Sequence, residues 1–248
     1  MWREYKKWFS PRLGRDMELL VFGHAGPRAL VFPTREGRFF DFENWRLVDA
    51  ASTPILAGQL QLFCLDSVDS ESIYNQAIPP AARIARHILF EKYVLEEVLP
   101  FTLSLNPHPS LLAHGCSLGA YHAVNLAFRH PQLFTRVLAL SGRYDLTKPH
   151  GPFRDLFDGH YDQDIYFHTP PHFLAKLADP TILAALRRLE ITLAVGHDDA
   201  FAPSTRELSL VLNAQAIPHR LDIWPGEAHR ASHWRQMICH YFPPQLVS

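Results

Sequence analysis

The chain has 248 residues, 47% of them hydrophobic, which is enough to build one large α/β domain around a substantial core. Its 24 basic and 25 acidic residues are interspersed and leave a formal net charge of -1, so no strong field exists to collect nucleic acid or an anionic membrane surface. The three cysteines, Cys64, Cys116 and Cys239, are odd in number and far apart, which argues against a disulfide framework and against a paired-cysteine metal or redox site.

The opening stretch from Met1 to Arg12 mixes charges with aromatics and lacks the apolar run of a secretory signal. No later run reaches transmembrane length, and cytoplasmic residence is the expectation. Fifteen histidines raise the question of a metal, but none of the ligand spacings that transition metals favour is present. No metal site is expected.

Short apolar runs bounded by turn residues predict strands at Glu18 to Phe22, Ala29 to Phe32, Gln61 to Leu65, Leu111 to Ala113, Val137 to Leu140, Ile191 to Val195 and Arg220 to Trp224. The first two are joined by His24-Ala25-Gly26-Pro27, a link short enough for a hairpin but not for a crossover. An antiparallel N-terminal edge is therefore expected. From Gln61 onward the strands alternate with helical patterns at Ala82 to Val98, Leu118 to Phe128, Ile182 to Leu189 and Ser204 to Ala214, which predicts a mostly parallel sheet with helices on both faces. Pro79-Pro80 and Pro170-Pro171 stand where helices would start. Without repeats or a linker, residues 1–248 read as a single domain.

Between Ser141 and Asp179 the regular pattern gives way to Pro, His, Asp and aromatic residues. A connection of that length is usually functional or partly helical. Residues 141–179 are expected to form a cap or pocket wall, with Tyr144, Tyr166 and Phe167 lining the substrate pocket.

The run ending at Ala113 leads into His114-Gly115-Cys116-Ser117-Leu118-Gly119-Ala120 and then a helical stretch. This is G-x-S-x-G in the strand–turn–helix setting that gives the motif its meaning. The serine must occupy a strained turn, and glycines two positions to either side let strand and helix approach without Cβ clashes. The helix beginning beside Ser117 aims its unsatisfied N–H groups and positive dipole end at the same place, so the Leu118 N–H is a candidate oxyanion donor. The bland alternative is that Ser117 is an ordinary helix N-cap. Cys116 is an alternative nucleophile, but it falls where such a turn packs inward and reads as a buried structural thiol.

The acid and base of such a hydrolase should follow the serine in loops after later strands. Asp198 and Asp199 follow the strand ending at Val195, and Asp199 is preferred, against the alternative of helix capping or solvated loop charges. His229 and His233 follow the last strand; His229 is preferred because it lies in the loop, whereas His233 falls where a helix begins.

At these residues the chain resembles the esterase D-like group of the α/β-hydrolase superfamily over nearly its whole length. The matching stretches are Ser10 to Glu18, Phe32-Pro33-Thr34, Asp66-Ser67-Val68-Asp69, Gly115 to His122, and Tyr166-Phe167-His168, the serine-containing stretch being the most specific. The resemblance implies the α/β-hydrolase fold, no cofactor, and a triad of Ser117, Asp199 and His229. It also points to the N–H of Thr34 or Arg35 as the second oxyanion donor. Two positions depart from the group: Ala120 stands where relatives carry glycine, and Arg230-Ala231-Ser232-His233 replaces an Asp-Trp-rich stretch.

The reading is a serine esterase acting through an acyl-enzyme on a small-molecule ester or related acyl substrate, with no nucleic-acid or membrane partner. A homo-oligomer is compatible with the sequence. An acyltransferase of the same fold is the nearest rival, since an alcohol can intercept the same acyl-enzyme. A non-catalytic binding protein that keeps the fold is the rival from another class, motivated by the two departures.

Overall fold

The computed structural model describes residues 1–242. Eight strands, β1 (Arg3–Ser10), β2 (Arg15–Phe22), β3 (Arg28–Phe32), β4 (Gln61–Leu65), β5 (Leu111–Cys116), β6 (Arg136–Leu140), β7 (Glu190–Gly196) and β8 (Arg220–Trp224), form one sheet. Their order is β1-β2-β4-β3-β5-β6-β7-β8. The β1/β2 and β2/β4 pairs are antiparallel, and every other pair is parallel.

The antiparallel edge exists, but it is not the predicted hairpin. β2 pairs with β1 and β4, while β3 lies one strand further in, between β4 and β5. The short link through Gly23 and Gly26 does reverse the chain, yet β4 sits between the two strands it joins. Both glycines have φ of 89° and lie against the backbone of residues 58–61, where a Cβ would clash. The composition of β3 agrees with this inner position, because all five of its residues are buried, as in a central parallel strand.

β1 had no counterpart among the predicted strands. It is charge-rich, alternates between exposed and half-buried positions, and becomes a strand by pairing along its full length with β2, from Arg3 opposite Phe22 to Ser10 opposite Arg15. Edge strands of this kind carry little hydrophobic signal of their own.

Helices cover both faces. Three short ones, α1 (Asp41–Asn44), α2 (Leu47–Ala50) and α3 (Ser52–Leu56), lie between β3 and β4. Next come α4 (Pro80–Tyr93), a π-helical turn at Val94–Val98 and α5 (Leu99–Leu105), in unbroken succession. The remainder are α6 (Leu118–Arg129), α7 (Gln163–Phe167), α8 (Pro170–Ala175), α9 (Pro180–Leu186), α10 (Ala202–Ala214) and α11 (Ala231–Tyr241). Pro80 and Pro170 open α4 and α8, where a missing N–H costs nothing. None of the helices among the described residues is long and apolar enough to cross a membrane.

The strands divide their side chains with period two between two cores. Leu19, Val21, Leu30, Phe32, Ala113 and Val137 face the cluster that includes Tyr93, Val94 and Val124. Leu20, Phe22, Ala29, Val31, Leu138 and Leu140 face the opposite cluster with Leu47, Ile55, Trp234 and Met237. Each central strand thus buries both faces, which fixes its register, since a one-residue slip would exchange the two sets.

His114 is an unusual occupant of this interior. It sits in β5 between the rings of Phe42 and Phe242, fully buried, and its Nδ1 donates to the Leu138 carbonyl at 2.8 Å while Nε2 has no partner among the described residues. Burial holds its imidazole down at about 4, against about 6.5 for the free side chain. The unfolded chain therefore takes the proton first on acidification, so the stability contributed by neutral His114 is complete above about pH 6.5 and is lost progressively down to about pH 4. That loss is on the order of 3 kcal/mol, and His87, also buried and lowered, adds in the same direction. In urea titrations across this range, His114→Gln should show a shallower fall of unfolding free energy with acid than the parent. An unchanged slope would assign the acid sensitivity to other groups.

Candidate active site

All the elements of the site lie at the C-terminal ends of the parallel strands, where sheets of this kind leave a crevice. Ser117 follows β5 directly and has φ of 56° and ψ of −120°, a strained conformation for a residue with a Cβ. Its N–H donates to Leu140 O of the neighbouring strand at 2.8 Å, which holds the turn in place. The flanking glycines are required by close approach. A Cβ on Gly115 would run into the backbone of Gly119, and a Cβ on Gly119 would run into the carbonyls of Phe32 and Pro33. Strand β5, helix α6 and the loop after β3 therefore touch backbone to backbone around the serine.

Asp199 and His229 arrive from the loops after β7 and β8. These loops are tied together, since His197 N–H donates to Trp224 O at 2.7 Å and Asp198 N–H to Gly226 O at 3.0 Å. His229 Nδ1 lies 2.9 Å from Asp199 Oδ2, and its Nε2 lies 3.2 Å from Ser117 Oγ. The pattern fits an imidazole donating from Nδ1 to the carboxylate and accepting from the serine hydroxyl at Nε2. Asp199 is buried, and its second oxygen accepts the Phe201 N–H at 2.9 Å. The rings of Phe201 and Trp234 flank the imidazole with centroids 5.4 Å and 5.2 Å away. Two rivals are placed elsewhere. Asp198 is exposed and paired with His197 Nδ1 at 2.6 Å, and His233 lies within the first turn of α11. Cys116 points into the core, where burial pushes its thiol up, away from the reactive thiolate.

Leu118 opens α6, so its N–H has no carbonyl of the same helix to bond. Thr34 and Arg35 stand across from it in the loop after β3, and Ser117, Leu118, Thr34, Arg35 and His229 all line one cavity of about 270 Å³. The loop is held from below. Glu36, at φ of 52°, donates its N–H to Asp69 Oδ2 at 3.1 Å, and Asp69 Oδ1 meets His122 Nε2 of α6 at 3.0 Å. Ser67 Oγ donates to Gly37 O at 2.8 Å. The stretch from Asp66 to Asp69 thus supports the loop from behind, although neither Asp69 nor His122 lines the cavity.

A family described as "Putative esterase" matches residues 69–242, well over half of the chain and all of the turn, acid and histidine segments. The chain belongs to that family. Membership makes it a serine ester hydrolase. No match is found among curated proteins. Among solved structures, a ferulic acid esterase superposes with a TM-score of 0.75 at 15% identity, over 98% of this chain and 96% of that one. The S-formylglutathione hydrolase of Staphylococcus aureus gives 0.64 at 15% identity, over 97% and 95%. That of Agrobacterium tumefaciens gives 0.68 at 13%, over 96% and 92%. Likeness at such identities carries the fold, which is that of the α/β-hydrolases.

The pocket wall of this esterase differs from the expectation. Tyr144 is fully buried in the main core, with its N–H donating to Ser204 Oγ at 2.9 Å. Tyr166 packs against the same core, and Phe167, 42% exposed, stacks edge-on against Tyr166 at 5.0 Å. None of the three lines the cavity. The reason is local: Asp162 caps α7 through the Ile165 N–H, and the end of that helix docks on α6, where Arg129 Nη1 donates to Phe167 O at 2.8 Å. The segment instead supplies Arg143 and Phe153, which join Trp45, Tyr74, Phe201 and Trp234 around the cavity. These residues lie in short helices, loops and a helix start, without a motif of their own by which the sequence could mark them.

Asp69 offers a direct check on the support of the loop. Asp69→Ala leaves the Glu36 N–H and a buried His122 nitrogen without partners, each costing about 1–3 kcal/mol. Denaturant unfolding should register a loss of that order, and ester turnover should fall because the loop opposite Leu118 is released. Full retention of both would mean that the pair does not anchor the loop.

Proposed function

We propose that Ser117 is the nucleophile, His229 the general base and acid, and Asp199 the group that orients His229 and stabilises its protonated form. In the first half-reaction the Ser117 hydroxyl passes its proton to His229 Nε2 while its oxygen attacks the ester carbonyl. The resulting oxyanion would be held by the N–H groups of Leu118 and of Thr34 or Arg35. Collapse expels the alcohol, which takes the proton from His229 and leaves the acyl group on Ser117. Water then repeats the sequence, releasing the acid and restoring the serine.

The observation that carries this reading is the continuous chain from Ser117 Oγ through both ring nitrogens of His229 to Asp199, with links of 3.2 Å and 2.9 Å. Family membership supports an ester as substrate. We treat the whole chain as one hydrolase domain, because the N-terminal strands are bonded into the sheet that carries the site. We place its chemistry in the cytoplasm, on the odd count of free cysteines.

A fluorophosphonate probe should attach to Ser117, as read by mass spectrometry of the digested protein. Ser117→Ala and His229→Ala should each lower kcat on a simple aryl ester by roughly 10³-fold or more, whereas His233→Ala should cost far less. Labelling that persists in Ser117→Ala and vanishes in Cys116→Ala would transfer the nucleophile to the thiol.

A further inference from the structure

Among the described residues, the wall of the cavity above Ser117 includes two arginines, Arg35 and Arg143, and no Asp or Glu. Arg35 is an exposed residue whose guanidinium lies over the Tyr74 ring, 5.7 Å from its centroid. Arg143 is different, because only 3% of it is exposed. Three carbonyls hold it in place: Nε donates to Asp145 O at 3.2 Å, and Nη2 donates to Lys148 O and Arg154 O at 2.7 Å each. Its Nη1 has no hydrogen-bond partner among the described residues and is not sealed away from solvent.

Among the described residues no carboxylate bonds to it directly, although those of Asp145 and Asp155 favour its charge from nearby. Asp145 is engaged by Thr147, Lys148 and His172. Arg143 thus keeps a full positive charge, most of its hydration lost, on three neutral carbonyls that fix its direction. Burial works against that charge, but a guanidinium stays protonated throughout the accessible pH range. A buried charge with no direct ion pair is costly, and a fixed N–H donor in the wall of a substrate cavity is the arrangement that recognises an oxyanion. Burial keeps the Tyr74 phenol protonated, so it adds a neutral donor between the two arginines. The rest of the wall, Trp45, Phe153, Phe201 and Trp234, is aromatic.

We infer that the ester hydrolysed at this site bears an anionic group, a carboxylate or a phosphate, held by Arg143 with help from Arg35 while the aromatic residues enclose the remainder. The proposal rests on Ser117 being the nucleophile. Arg143 is the specificity-determining residue, and Arg35, exposed and beside Glu36, contributes less.

The test uses the full chain and three matched pairs of esters. For a carboxylate on the alcohol side, 4-acetoxybenzoate is compared with its methyl ester. For a phosphate there, 4-acetoxyphenyl phosphate is compared with phenyl acetate. For a carboxylate on the acyl side, mono(4-nitrophenyl) adipate is compared with its methyl ester. At least one charged member should exceed its neutral partner in kcat/KM by about 10-fold or more, chiefly through a lower KM, and the pair showing this identifies the anion and its side. Arg143→Gln should reduce that ratio by about 10- to 100-fold, the loss of one charge-assisted hydrogen bond, and Arg143→Lys should recover part of it. Neutral esters hydrolysed through Ser117 as well as all three charged ones would overturn the anion site and leave the hydrolase reading intact. A protein that hydrolyses none of the six and takes no fluorophosphonate on Ser117 would overturn both. Should Arg143→Gln fail to fold, the parent ratios decide, together with Arg35→Gln, which should lower the preference by a smaller factor.

Discussion

The close approach of three backbone segments around Ser117 is the constraint on which the rest of the site depends. Gly115 lies against Gly119, and Gly119 against the carbonyls of Phe32 and Pro33, with no room for a Cβ at either position. That contact forces the serine into its positive-φ turn, sets the start of α6 beside the loop after β3, and places Leu118, Thr34 and Arg35 around one cavity. A strained turn persists only when its surroundings over-determine it. Here the Ser117 N–H is held by Leu140, and β5 is buried on both faces between β3 and β6.

Around that turn the sheet is the frame, and the loops at its carboxyl ends carry the proposed catalytic residues. The parallel order brings the ends of β3, β5, β6, β7 and β8 side by side. Residues far apart in the chain, from Thr34 to His229, then meet within one crevice. The loops after β7 and β8 are cross-bonded to each other, and Gly196 leaves space for the backbone of Gly226 and Glu227. Asp199 and His229 thus sit on loops bonded to each other, and both ring nitrogens of the histidine are engaged before any substrate arrives.

The interior holds more polar groups than an apolar sandwich needs, and they have distinct uses. The Asp69–His122 pair anchors the loop that faces the serine, His114 bonds across two strands, and Arg143 is fixed by three carbonyls with one nitrogen left over. Buried polar groups are retained against their desolvation cost when they are satisfied or when a ligand satisfies them. The first explanation covers Asp69 and His122. The second is the proposal made for Arg143 Nη1.

The local signals in the chain were strong where period and motif coincide. The strand–turn–helix around Ser117, the central strands with both faces apolar, and the proline starts of α4 and α8 could all be read without coordinates, because steric rules act over a few residues. The requirement that acid and base lie in loops after late strands points to Asp199 and His229 over Asp198 and His233, and the structure brings the first pair beside Ser117. Other features depended on partners distant in sequence. β1 is a strand because β2 is beside it, and β4 inserts between β2 and β3 although their link is short enough for a hairpin. Tyr144, Tyr166 and Phe167 have the composition of a pocket wall, but Tyr144 lies in the core, Tyr166 packs against it and Phe167 stays exposed where α7 docks on α6, while Arg143 and Phe153 take the wall instead. The sequence by itself determined the turn, the helix that follows it and the residue types available for chemistry, since these obey local sterics and periodicity. Only the tertiary structure decided which of those residues share a cavity, because that is set by strand order and helix docking, and neither is encoded within any short window of the chain.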